Sequence, residues 1–187
     1  MRTLFFSVIS FIFFVGCSSQ EKSKYSIDNN LVSEVVEIPG LNMNFQPPIG
    51  WKELPIPNAE QYNQALSVIT PYPISVKKLF MNKENQNLVL VSDISPVQKE
   101  LHDQMLEEYN SMLNIGNQWN TIEKDLFEQN DLLADEFILQ SNLLVSYKVL
   151  FPYDGDPKFQ LDFFMEKGTF DEKLKKSIES SIASIQR

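Results

Sequence analysis

Between residues 32 and 185 the apolar side chains recur at two spacings, every second residue and every third or fourth, with prolines and glycines separating the segments. The first spacing belongs to a strand with one buried face and the second to a helix with one apolar stripe. Val32, Val35, Val36 and Ile38 predict a first strand closed by Pro39-Gly40, and Leu41, Met43 and Phe45 a second. Pro47-Pro48-Ile49-Gly50-Trp51 forces a turn and leaves Trp51 to pack back. Asn58 caps a short helix over 59–69, stopped by Pro71 and Pro73. The apolar runs 74–81 and 88–94 read as strands joined by the polar loop NKENQN. Ser95 at the N-cap, Pro96 at the first helical position and Gln98 three residues after the cap start another helix. Its stripe is Val97, Leu101, Met105, Tyr109 and Met112, and Gly116 stops it.

Strands follow over 119–128, 132–140 and 143–153, the last so apolar that both its faces should be covered. Asp154-Gly155-Asp156-Pro157 turns the chain into 159–166, where Phe159, Leu161 and Phe163 alternate with Gln160, Asp162 and Phe164. Thr169-Phe170-Asp171-Glu172 matches a capping box, and the final helix carries Phe170, Leu174, Ile178, Ile182 and Ile185 at spacings of three and four. Strands joined by tight turns imply an α+β domain, an antiparallel sheet layered with helices on its faces, over residues 31–187. The FQPPIGW segment at 45–51, LDFFMEKGTF at 161–170 and the closing SIASI at 181–185 resemble the PsbP-like family. That family includes the extrinsic photosystem II protein, a nuclear-transport factor that binds the GTPase Ran, and many bacterial proteins. The resemblance implies an α/β/α sandwich and a non-catalytic binding or assembly role, and it carries over no site residues.

The first sixteen residues are of another kind. Arg2 and the amino terminus precede an apolar run over 4–15, shorter than the ~20 residues that span a bilayer. Its length and flanks are those of a secretory signal peptide. The run ends in Phe14-Val15-Gly16-Cys17, which resembles the lipobox of bacterial lipoproteins, with Phe14 where leucine is usual. The resemblance implies cleavage before Cys17, a diacylglycerol on its thiol and acylation of the new amino terminus. Two or three chains, at ~0.8 kcal/mol per buried methylene, anchor a protein stably where one would not. Cys17 is the sole cysteine, so its lipidation leaves no thiol for a disulfide, a metal site or catalysis. Residues 18–30, SSQEKSKYSIDNN, have little to bury and read as a flexible tether. Ser18 in place of aspartate favours the outer membrane.

The chain carries 25 acids against 16 bases, a net of −9, and cleavage removes Arg2. Residues 93–140 hold eleven acids (Asp93, Glu100, Asp103, Glu107, Glu108, Glu123, Asp125, Glu128, Asp131, Asp135, Glu136) against Lys99 and Lys124. Such a field repels nucleic acid and anionic headgroups. The expectation is that these acids disperse over the surface as solvated charges and form no metal site. His102, the one histidine, reads as a boundary residue of its helix rather than a catalytic base or zinc ligand. Asp154-Gly155-Asp156 is accounted for by its turn without calcium. The six glycines form no nucleotide-binding motif, so no cofactor is expected. Trp51, Trp119, Tyr147, Phe151 and Phe164 would form a binding patch if exposed, but aromatics at strand spacing are usually core.

These features favour a lipid-anchored interaction or assembly domain of the cell envelope, outside the cytoplasm, whose partner is another envelope protein. A carrier of a small apolar ligand held between sheet and helices is the alternative, and an enzyme the least supported. The anchor is directly testable: labelled palmitate should enter the wild-type chain and not Cys17→Ser, and equal labelling of both would refute it.

Overall fold

The computed structural model describes residues 24–56, 63–64, 73–94, 107, 119–130, 132–151 and 158–186. Among them are nine strands: β1 (Val36–Ile38), β2 (Met43–Phe45), β3 (Trp51–Leu54), β4 (Ser75–Asn82), β5 (Leu88–Asp93), β6 (Asn120–Gln129), β7 (Leu132–Gln140), β8 (Leu144–Phe151) and β9 (Phe159–Glu166). A 3₁₀ turn over Lys167–Thr169 leads into the helix α1 (Glu172–Ala183). Strands β3 to β9 form one sheet in the order β3-β4-β5-β9-β8-β7-β6, with every neighbouring pair antiparallel. The short strands β1 and β2 pair antiparallel with each other outside it. The chain leaves β5 in the middle of the sheet and resumes at β6 on the far edge, and β9 returns to fill the gap.

Period-two alternation gives the sheet two distinct faces. Val89 and Val91 of β5, Leu161 and Phe163 of β9, Tyr147 and Val149 of β8, Ile138 of β7 and Phe127 of β6 share one face and one core. Ile178 and Ile182 of α1 enter that core, as do Ile38, Met43 and Phe45 of the β1–β2 pair. On the other face Val76, Leu79 and Leu90 form a smaller apolar group, with Phe164, Leu54 and Leu88 packed against it. The antiparallel sheet and the stripe of the last helix therefore agree with the sequence.

Four details differ. The first predicted strand survives only as β1, and Val32 makes a single bridge to Pro48. Trp51 does not merely fold back from a turn. Gly50, at a φ of +79°, turns the chain so that Trp51 opens the edge strand β3 opposite Asn82, with its ring edge-on to Phe163 at 6.1 Å. The capping box is displaced. Asp171, not Thr169, caps α1 by accepting from the Leu174 amide at 2.8 Å, while Thr169 lies in the 3₁₀ turn and bonds Glu166 and Asn87. The polar side of α1 is also buried: Ser177, Ser180, Ser181 and Ser184 are covered along with the isoleucines. Of the two helices predicted over 59–69 and 96–115, only Asn63, Gln64 and Glu107 are described, each helical. The rest of those helices and the 154–157 turn lie outside the described residues.

The serines have specific work. Ser181 Oγ donates to the Gln46 carbonyl at 2.6 Å, and Ser184 Oγ accepts from the Gln46 amide at 2.7 Å. Past the helix, Gln186 exchanges both backbone bonds with Asn44 of β2. The helix thus supplies hydrogen bonds to a short strand pair that has little ladder of its own. Truncating a fully buried isoleucine to alanine costs ~2–5 kcal/mol, so Ile178→Ala should lower the melting temperature by several degrees. An unchanged melting temperature would show that α1 is not part of the core.

Candidate functional site

Tyr25 is the one aromatic residue in the polar segment 18–30. The structure does not leave it in a tether. Its ring stacks on Phe127 of β6, with centroids 5.1 Å apart and planes at 25°. Its hydroxyl donates to both oxygens of Glu136, at 2.8 and 2.9 Å, and lies 3.1 Å from the Tyr147 hydroxyl. The segment stays docked beyond this point. The Asp28 amide donates to Ser180 Oγ at 2.6 Å, and Ser177 Oγ donates to the Leu31 carbonyl at 2.7 Å. Among the described residues, packing against the domain therefore begins at Tyr25, before residue 31, because a phenol and two backbone groups find partners on the sheet and α1.

The acids around Tyr25 come from register. Glu136 lies on the helix-facing side of β7, opposite Asp125 of β6 and Val149 of β8. Glu123 sits two residues from Asp125 on the same side of β6. Helix α1 brings Lys175, whose Nζ is 3.1 and 3.0 Å from the two oxygens of Glu123, and Glu179 one turn later. Four carboxylates and one ammonium thus meet in a seam closed by Tyr25. Burial, and after it the charges of Glu123, Glu179 and Asp125, push the Glu136 carboxyl up to about 8 against the opposing hydrogen bond from Tyr25. Burial and then Glu136 hold the Tyr25 hydroxyl protonated, well above the usual phenol range. Glu179 is raised mainly by burial. Burial lowers Lys175, but bonding to Glu123 and the charges of Glu123 and Glu179 outweigh it and leave the ammonium above its ordinary value. The seam holds a proton near neutral pH, and among the described residues no three ligands are grouped to hold a metal ion.

The expected dispersal of the acidic stretch is therefore only partly met. Glu123, Asp125 and Glu136 converge on one face, whereas Asp135 pairs with Leu126 on the other and Asp93, at the end of β5, meets Lys77 at 3.6 Å. Asp135 and Glu136 are buried and not solvated, and Glu107 is exposed. Trp51, Tyr147 and Phe151 are core residues, Phe151 stacked on Phe159 at 4.4 Å, while Trp119 and Phe164 are half-buried. Cys17, His102 and Asp154-Gly155-Asp156 lie outside the described residues.

A second buried polar group lies on the opposite face of the sheet. Lys148 of β8 and Asp162 of β9 are register partners and form an ion pair with side chains almost wholly enclosed. Gln160 donates its amide to the other oxygen of Asp162. Ser92, beside Gln160 on β5, and Ser146, beside Lys148 on β8, extend the polar strip.

The fold has a counterpart among solved structures. It is similar to the solution structure of cyanobacterial PsbP (CyanoP) from Synechocystis sp. PCC 6803, with a TM-score of 0.53 over 82% of this chain and 91% of that chain, at 10% identity. No family model and no curated protein sequence matches the chain. At that identity the likeness concerns the fold alone, which is PsbP-like.

Removing one member of a buried ion pair leaves the other charge without compensation and costs ~3–5 kcal/mol, while replacing both by apolar groups is often close to neutral. Lys148→Met should therefore destabilise the domain strongly, and Lys148→Met with Asp162→Leu should recover most of the loss in denaturant unfolding. Equal loss in the single and double variants would show that the pair is not coupled.

Proposed function

We propose that this chain is a lipid-anchored interaction domain of the cell envelope, without catalytic activity. Residues 1–16 are removed as a signal peptide, Cys17 carries the lipid, and the PsbP-like domain stands outside the cytoplasm, on the outer membrane, against another envelope protein. Helices over 59–69 and 96–115 cover the second face of the sheet and complete the sandwich. In support of that layering, Asn63 Oδ1 accepts from the Val76 amide at the start of β4, at 3.0 Å.

The observation that carries the functional reading is where apolar side chains remain in water. Leu143, at the tip of the β7–β8 turn, is 75% exposed, and Leu144 and the β6 bulge residue Ile122 are exposed with it. Register places the start of β6 beside the end of β7, with Asn120 opposite Gln140, so the three gather at one end of the sheet on its β6 edge. Large apolar residues grouped at an edge suit contact with a protein partner. The apolar-carrier alternative draws less support. The two described clefts, of about 310 and 330 Å³, are open and lined by charged and polar residues such as Lys24, Asp28 and Glu179, or Lys52, Lys83 and Glu84.

Isolation of the tagged lipoprotein from its native envelope in mild detergent tests this. It should recover a protein partner in fixed stoichiometry, and Leu143→Glu should reduce that recovery at least about tenfold without changing the melting temperature. A monomer in the envelope, or recovery untouched by Leu143→Glu, would reject this surface. An extracted small apolar molecule would favour the carrier.

A further inference from the structure

We propose that Tyr25 and Glu136 form a proton-held latch that docks residues 25–31 on the domain and releases them as Glu136 ionises. The inference goes beyond the interaction reading and needs neither a lipid nor a partner.

The latch has three contacts of unequal kind. The phenol reaches through the seam to the Glu136 carboxyl and the Tyr147 hydroxyl, whereas Asp28 and Leu31 make bonds to the serines of α1 that are indifferent to charge. Every element packed around Glu136 adds an ionisable group. Strand β6 presents Glu123 and Asp125, α1 presents Glu179 and Lys175, β8 presents the Tyr147 phenol, and the docked segment presents Tyr25. One ammonium, already engaged with Glu123, is all that offsets the four carboxylates of Glu123, Asp125, Glu136 and Glu179 in the seam. A negative charge on Glu136 is thus enclosed by protein on one side and opposed by acids on the other. As the neutral acid, it can satisfy the same phenol without that repulsion.

Lifting Tyr25 away opens the seam to water, where a carboxyl returns towards its ordinary value near ~4.3. Docked, Glu136 keeps its proton up to about pH 8. The docked state binds the proton more tightly, so protons favour docking. Below the released-state value both states are protonated and docking is at its strongest. As the pH rises from about 5 to about 8 the docked fraction relative to the released one falls by up to about tenfold per unit, and above about 8 it levels off.

Hydrogen exchange on the detergent-solubilised full chain reads this directly. Protection of the Asp28 and Leu31 amides, corrected for the intrinsic pH dependence of exchange, should fall at least about tenfold between pH 5.5 and 8, while β5 in the middle of the sheet does not change. In Glu136→Gln, whose amide oxygen still accepts from Tyr25, protection should stay high and flat. Tyr25→Phe keeps the ring on Phe127 and loses the hydroxyl, so protection should drop about fivefold or more at pH 5.5. Flat protection in the wild type, an unchanged slope in Glu136→Gln, or full protection in Tyr25→Phe would each overturn the latch. Should Glu136→Gln fail to fold, the wild type and Tyr25→Phe decide the matter.

Discussion

Helix α1 is buried on two sides at once, and both the β1–β2 pair and the N-terminal segment depend on it. Ile178 and Ile182 attach it to the sheet by removing apolar surface from water. Ser177, Ser180, Ser181 and Ser184 then offer hydroxyls to backbone that has no complete ladder. The two roles differ in character. The apolar contact is non-directional and supplies most of the free energy, whereas the hydroxyl bonds are directional and fix where residues 28–46 run. Small side chains suit the second role, since a larger residue would hold the strands away from the helix axis.

The two polar groups inside the protein solve the problem of enclosed charge in different ways. On the far face, Lys148 and Asp162 neutralise each other within one pair of strands, and Gln160 occupies the second carboxylate oxygen. On the helix face, Lys175 answers Glu123, and the remaining excess of acid is answered by a proton. The second arrangement is poised near neutral pH. A single sheet therefore separates a fixed ion pair from a titratable cluster, with Lys148 and Tyr147, adjacent in sequence, pointing to opposite sides.

The sheet was legible because each strand from β4 to β9 carries its own period and is bounded by its own turn. The isoleucine stripe of α1 was legible for the same reason. What the periodicity hid is equally physical. Gln160 and Asp162 read as the outward side of β9, but the strand is central and both its faces are covered. The serines of α1 look like a solvent face because a serine bound to backbone and one bound to water are the same letter. Glu123, Asp125 and Glu136 converge only through the β6–β7 register, and the bulge between Thr121 and Glu123 sets which residues of β6 share that face. Tyr25 was the one available signal for the seam: an isolated large aromatic in a polar run has little reason to be there unless something buries it.

The docking of Tyr25 sets how far the domain can travel from whatever holds residue 17. Tyr25 lies eight positions after Cys17, a span of at most about 29 Å when fully extended. Freeing the chain as far as Leu31 makes it fourteen positions and at most about 50 Å. On the proposed anchor, the docked form keeps the domain within about one domain diameter of the bilayer, and the released form lets it search a far larger volume. Local concentration at any fixed target falls steeply as a linker grows past the distance it must bridge. One phenolic hydrogen bond would then set not how tightly the protein binds, but which depth of the envelope lies within its range.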